Sequence, residues 1–191
     1  RKTFNPGEVN EVKALQGISL DVQEGEFVML LGGNGSGKST LLNAVAGSFF
    51  PDAGRILVDG KDVTRWAEHR RAALVGRVFQ NPFSGTAPDM TIAENLALAA
   101  KRGLGRGLGW ALQPAPMQAF RERVRTLKMG LEDRLDNRIS TLSGGQRQAL
   151  TLLMASWLKP RLLLLDEHTA ALDPRSADQV IALTDRIIRR E

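Results

Sequence analysis

Lys38 closes a glycine-rich run, Gly32-Gly33-Asn34-Gly35-Ser36-Gly37, and is followed by two hydroxyl residues, Ser39 and Thr40. The spacing is G-x-x-x-x-G-K-[ST], and each residue type in it has a chemical reason. Glycines let backbone N–H groups turn inward onto phosphate oxygens, and a helix starting at Lys38 adds partial positive charge at the same place. Lys38 supplies a point charge for β- and γ-phosphates, Ser39 can set its hydroxyl on Mg²⁺, and Thr40 is left for the α-phosphate. Gly33, Asn34, Gly35, Ser36, Gly37, Lys38, Ser39 and Thr40 are therefore expected to bind ATP with Mg²⁺.

Far along the chain, four leucines, Leu162 to Leu165, end in Asp166-Glu167. A carboxylate at the C-terminal edge of a buried strand faces the crevice where a nucleotide lies, so Asp166 is expected to hold Mg²⁺ through a water. Glu167, one residue on, is placed to orient or deprotonate an attacking water, work worth ~10²–10⁴-fold in rate. In the absence of the glycine loop, the same two acids would read as a helix cap.

These residues need elements to position them. Ile18, Leu20 and Val22 alternate with Ser19 and Asp21, the period of a half-buried strand, and predict an antiparallel opening. After the turn Glu24-Gly25, the run Phe27-Val28-Met29-Leu30-Leu31 is apolar on both faces, which predicts a central parallel strand feeding the glycine turn. A helix is expected over 38–46, a short strand over 56–58 closed by Asp59-Gly60, and a strand over 75–79 leading to Gln80. Between 81 and 158 helical patterns dominate, clearest over 91–100 and 117–129, and predict an inserted helical subdomain. A strand over 162–165 and an amphipathic helix from about Ser176 to Arg190 complete the alternation.

A length of 191 residues suits one domain with a substantial core, and 42% hydrophobic with 25% charged residues is ordinary for a globular protein. No run approaches the ~20 apolar residues of a membrane-spanning helix, and the first ten residues lack the apolar centre of a secretory signal, so a cytoplasmic location is expected. The chain has no cysteine and two separated histidines, His69 and His168, which leaves no basis for a disulfide or a structural zinc site. The net charge of +5 suits nucleic acid and an anionic membrane leaflet equally. The segment 101–110, rich in glycine and arginine, is read as a solvated basic loop.

Leu142-Ser143-Gly144-Gly145-Gln146 decides among the families that share the phosphate loop. A serine followed by paired glycines at a helix start is a second anion site, and this pentapeptide, about twenty residues before Asp166, resembles the signature of ABC ATPases. The resemblance covers essentially the whole chain. It implies a P-loop NTPase α/β fold with a parallel core sheet, N-terminal antiparallel strands and an inserted helical subdomain. The RecA-like core would be 1–80 and 159–191, and the helical subdomain 81–158. It also implies a head-to-tail dimer in which Ser143, Gly144, Gly145 and Gln146 of one subunit face the ATP held by Lys38 and Ser39 of the other. Gln80 looks like the glutamine that touches Mg²⁺ and the water, Ala171-Leu172-Asp173 like the loop that crosses to the partner, and Phe4 like the aromatic that stacks on adenine.

The implied function is the ATPase subunit of a transporter, peripheral on the cytoplasmic face of the membrane and bound to transmembrane permease subunits. Phe83, Met90 and Ile92 are candidates for lining the groove that receives the permease. The stretch from Asp166 to Pro174, with Asn81-Pro82 and Gly85-Thr86-Ala87-Pro88, is similar to ATPase subunits of bacterial amino-acid importers, which work with a solute-binding protein. Some positions depart from the family pattern. His168 stands where a proline is usual, Ala170 where a serine is, and Ala149 and Met154 where arginines are common. A switch histidine is expected beyond one more strand, which predicts a truncated chain with weak ATP binding or slow hydrolysis. A soluble ABC ATPase of DNA repair or translation is the alternative, but such proteins usually carry two linked cassettes or a long coiled coil. Nucleic acid is therefore not expected as a partner. A phosphate-loop kinase is the third reading, and the pentapeptide speaks against it.

Overall fold

The structure is a computed structural model that describes residues 1–103, 114–167, 169–170 and 172–190. His168, Ala171 and most of the basic segment 101–110 lie outside the described residues. Chain contacts divide the molecule into two units, Arg1–Arg71 and Ala72–Glu191.

In the first unit, β1 (Lys2–Phe4) and β2 (Val12–Leu15) pair antiparallel, with Phe4 opposite Val12. The Asp52 carboxylate fastens β1 by accepting from Lys2 Nζ at 2.8 Å and from the Thr3 amide at 2.7 Å. Helix α1 (Lys38–Ala46) ends at Gly47, whose φ of 91° is the left-handed stop a glycine supplies without strain. Strands β3 (Leu57–Val58) and β4 (Lys61–Asp62) form a hairpin. Its central residues, Asp59 and Gly60, both have positive φ, the turn whose twist suits a two-residue hairpin.

Arg71 ends the short helix α2 (Glu68–Arg71) and is fully buried. Its guanidinium donates to the carbonyls of Ala44, Val45, Thr64 and Trp66 at 2.6–2.9 Å. Two of those carbonyls lie in the last turn of α1, where the helix dipole is negative and a cation is favoured. Burial itself disfavours the charged form and lowers the Arg71 pKa from its ordinary value.

Two expected strands are not formed. Residues 18–22 and 27–31 lie in no sheet, and Ile18, Leu20, Phe27, Met29 and Leu31 are all more than half exposed. Alternation and apolarity report which side chains would gain from cover, but a strand exists only where a second strand accepts its hydrogen bonds. The described pairs of this unit are β1–β2 and β3–β4, each complete in itself, so no third strand of the unit is left to serve these runs.

The second unit is built around one parallel pair and a buried helix. Strands β5 (Val75–Val78) and β6 (Leu162–Leu165) pair in parallel with Val75 opposite Leu162 and Val78 opposite Leu165. Helix α5 (Gly144–Ala155) runs through the core, with Leu150 and Leu152 fully buried, each worth about 1.5–3 kcal/mol relative to exposure. Ala149 and Met154 are buried in the same cluster, where arginines would need partners that apolar neighbours cannot offer. Helix α3 (Ile92–Ala100) starts with a reciprocal capping box between Thr91 and Glu94, and α4 (Pro114–Arg125) packs beside it. Helix α6 (Pro174–Arg190) has proline in its first turn, and Asp173 accepts the Ser176 amide at 3.1 Å. Apart from an isolated bridge between Thr91 and Arg138, the described elements between 81 and 158 are helical.

Candidate nucleotide site

The glycine loop lies in the first unit. Gly32 to Ser36 are exposed, and a tight turn brings the Ser36 amide to the Gly33 carbonyl. Gly37, with φ of 91°, is the residue before α1, and a Cβ there would lie 2.8 Å from the Ala14 carbonyl of β2. That position therefore requires glycine twice over, for conformation and for close approach. No side chain caps α1, so its start presents the partial positive charge of a helix N-terminus.

Lys38 folds back over the loop, donating to the carbonyls of Gly32 at 2.8 Å and Gly33 at 3.0 Å. An ammonium has three N–H donors, so one remains for an incoming oxygen. Ser39 is exposed and Thr40 half-buried on the same first turn, and Cβ atoms built at Gly33 and Gly35 would meet nothing within 4 Å. An uncapped helix start, a cation and open space beside glycines form a donor set that fits a polyphosphate. Phe4, at the end of β1, rests edge-on against Phe49 with centroids 5.3 Å apart and keeps 36% of its surface exposed.

The acidic pair lies in the second unit. The Asp166 amide donates to the Val78 carbonyl at 3.1 Å, extending the parallel ladder one residue past β6 and fixing where its side chain leaves the sheet. Arg77 of β5 comes within 3.7 Å of that carboxylate and lies over the Phe79 ring. At Glu167 the chain breaks away with φ of 41°, a left-handed conformation that costs a non-glycine residue about 1–3 kcal/mol and is typical of functional turns. The Gln80 amide donates to the Glu167 carboxylate at 3.2 Å, so the structure brings together the glutamine and the glutamate expected to act on water. The oxygens of Gln80 and Asp166 are hard donors of the kind Mg²⁺ prefers. Among the described residues no cluster of three acidic or histidine side chains could hold a metal by itself.

The second anion candidate is Ser143, N-cap of α5. Its hydroxyl oxygen accepts the Gln146 amide at 3.2 Å, while Gln146 Oε1 accepts the Ser143 amide at 3.1 Å. A hydroxyl that accepts still has its own proton to donate. Ser143 and Gly144 are exposed, whereas Gly145 is buried, and a Cβ there would lie 2.8 Å from the Ser176 side chain. One of the paired glycines is thus explained by the approach of α6.

Sequence reasoning missed the residues behind this turn. Arg147 and Gln148 follow the pentapeptide directly and are buried. Gln148 donates to the Phe79 carbonyl at 3.3 Å, and the Arg147 guanidinium lies 3.6 Å from the centre of the Phe83 ring. A charged residue on an otherwise apolar helix face was the available signal. With Gln80, Pro82, Gly144 and Leu172, Phe83 and Arg147 line a groove of about 220 Å³. Of the three residues expected to line a permease groove, Phe83 does line this one and Met90 is half-buried. Ile92 is fully buried core, because its place just inside the α3 cap turns it inward.

The phosphate-loop residues all belong to the first unit, and Gln80, Ser143 to Gln146, Asp166 and Glu167 all belong to the second. Both sets fall within the span that comparison with known proteins matches. The family model described as ABC transporter matches residues 15–170. The tyrosine transport ATP-binding protein of Clostridioides difficile is 44% identical over all of this chain and 75% of its own length. The macrolide export ATP-binding/permease protein MacB of Syntrophobacter fumaroxidans is 38% identical over all of this chain but only 26% of its own. An ATP-binding cassette solved as a dimer in a post-hydrolysis state with ADP and Pi superposes with a TM-score of 0.81 at 27% identity, covering 99% of this chain and 80% of that one. With loop, signature turn and acidic pair in the family's order on its α/β fold, the chain belongs to the ABC transporter family as an ATP-binding, ATP-hydrolysing domain.

Proposed function

We propose that this chain powers uptake of a small solute, an amino acid or a close chemical relative, through separate transmembrane subunits. One observation carries the reading: the chain holds two solvent-facing helix starts prepared differently for anions. Helix α1 is uncapped behind an open glycine loop under Lys38, and α5 is capped with Ser143 and Gly144 exposed. In the proposed dimer the Lys38 loop of one copy and the Ser143 turn of another close on one ATP, and hydrolysis releases them. The dimeric ADP-bound cassette of like fold supports this pairing.

Gly33 to Thr40 bind the phosphates and Phe4 stacks on the base; Ser39 and Gln80, and Asp166 through a water, are the residues that would hold Mg²⁺. When bound, Mg²⁺ offsets the charge of the phosphates. Glu167 orients the attacking water, held in place by the Gln80 amide. Segment 81–158 acts as a helical subdomain on a core of 1–80 and 159–191.

The relative named for tyrosine transport supports an amino acid as the solute, and in this reading a solute-binding protein delivers it. Among the described residues no helix is long and apolar enough to cross a membrane, which fits a peripheral subunit on the cytoplasmic face with permeases as partners. The test is the Glu167→Gln variant with MgATP in light scattering. Mass is expected to double with ATP and return to that of one copy without it. A variant that stays a single copy at saturating MgATP, or that turns over ATP like the parent, would overturn the assignment.

A further inference from the structure

Arg147 is a buried cation that forms no ion pair among the described residues: it is only 6% exposed. Its charge is met in two other ways. One terminal nitrogen donates to the Leu142 carbonyl at 2.9 Å, with longer bonds to the carbonyls of Ile139 and Ser140 at 3.4 Å. The guanidinium also sits over the Phe83 ring, its central carbon 3.6 Å from the ring centre. A planar fork can hold carbonyls at its edge and stack on an aromatic ring at the same time, which an ammonium cannot do.

Burying a guanidinium costs solvation, and an apolar side chain of similar length would fill the same space without that cost. Two other positions of this helix, Ala149 and Met154, carry apolar side chains in the same core. What Arg147 provides in addition is a connection. The carbonyls it holds belong to the residues leading into Ser143, and the ring it holds lies three residues past Gln80. Gln148 repeats the link by donating to the Phe79 carbonyl, and Gln80 in turn holds Glu167.

We propose that Arg147 is a positioning residue that ties the Gln80–Phe83 segment to the Ser143 turn, so that displacement of Phe83 shifts the hydroxyl and amides that turn presents. Phe83 is 43% exposed in the groove and is the end of the link that a bound partner can reach. The inference rests on the assignment of Ser143 to a partner copy's ATP, while the physical link itself does not.

Hydrogen exchange on the nucleotide-free subunit tests the link directly. Phe83→Leu, at a partly exposed position, is expected to speed exchange at the amides of residues 142–146 about tenfold while leaving α3 unchanged. Unchanged protection at 142–146 overturns the proposal. Steady-state hydrolysis by the full subunit with its membrane partners tests the consequence. Arg147→Met and Phe83→Leu are each expected to lower kcat about tenfold with KM for ATP within about twofold, and the double variant to be no worse than the poorer single one. Arg147→Lys is expected to recover less than half of the loss, and multiplicative losses in the double variant would also overturn the link. If Arg147→Met does not fold, the Phe83→Leu exchange result decides. If the parent subunit never dimerises with ATP, the proposed function fails, and that same exchange experiment still decides the clamp.

Discussion

The two helix starts offered to phosphate differ in how much of their order is built in. At α1 no side chain caps the helix, the residue before it is a left-handed glycine, and the cation that belongs to the site rests on carbonyls of its own loop. At α5 the cap is closed in both directions by Ser143 and Gln146, and a buried arginine braces the residues that lead into it. The first end has a glycine loop, a cation and no side-chain cap, and can be completed by a ligand. The second has its geometry fixed beforehand and is suited to meeting a ligand held elsewhere. Each arrangement follows from residue type, since glycines leave amides unspent and Ser-x-x-Gln spends them on itself.

Removing the ligand-completed part of the first end should have the largest effect. Lys38→Ala deletes the only side-chain cation of the Gly32–Thr40 loop and is expected to lower turnover by ~10²–10³-fold, with ATP affinity falling alongside. Fluorescent-nucleotide binding and phosphate release check it together. A Lys38→Ala subunit that binds ATP like the parent would remove the contrast, because the loop would then be as self-sufficient as the Ser143 turn.

The next test concerns support rather than ligand. Helix α1 has no side-chain cap at its start and is tied at its end, where Arg71 satisfies the carbonyls of Ala44 and Val45. Arg71→Met leaves four buried or partly buried carbonyls without that donor, and a loss of about 3 kcal/mol in unfolding free energy is expected. Urea titration measures it. Nucleotide should restore part of the loss by binding the folded loop, and a variant that ATP does not stabilise would show that the two ends of α1 are not coupled.

Much of this contrast could be read before any coordinates. The glycine loop, the acidic pair and the Ser143 pentapeptide are local patterns whose chemistry depends on neighbours within a turn or two, and local patterns survive in sequence. The strand over 162–165 and the start of α3 were legible for the same reason, one from a run of leucines and the other from Thr91 preceding Glu94 by three. Residues 27–31 show the opposite case: their apolarity was plain, but a strand also needs a partner, and pairing is not written in the run itself. The partners of Arg71, Arg147 and Gln148 could not be read because they are carbonyls, which every residue carries and no composition reveals.

The preorganised end can be loosened from within. Ser143→Ala removes one half of the capping box and should cost about 1 kcal/mol of stability. Faster amide exchange at Gln146 is expected, with binding of nucleotide to a single copy unaltered. Loss of single-copy ATP affinity in this variant would place Ser143 in the first site and erase the distinction between the two ends.

Acid should reach the start of α6, which abuts the signature turn, and spare the start of α1. Residues 32–40 contain no carboxylate, whereas the start of α6, whose Ser176 abuts Gly145, is capped by Asp173. The Ser176 hydroxyl first, and then its amide, hold the Asp173 carboxyl below its ordinary value of 3.8. A carboxyl depressed in the folded state stabilises it fully above that ordinary value, and the contribution is lost as pH falls through the lower folded value. Exchange at the amides of Ser176 and Ala177 is therefore expected to stay protected down to about pH 4 and to open below it beyond the intrinsic pH dependence of exchange. Asp173→Asn should flatten that change, and Leu41, whose amide bonds Gly37, should show no matching step. A step at Leu41 in phase with Ser176 would mean that the starts of α1 and α6 answer to one titrating group, and that the absence of carboxylates from residues 32–40 does not shield the first.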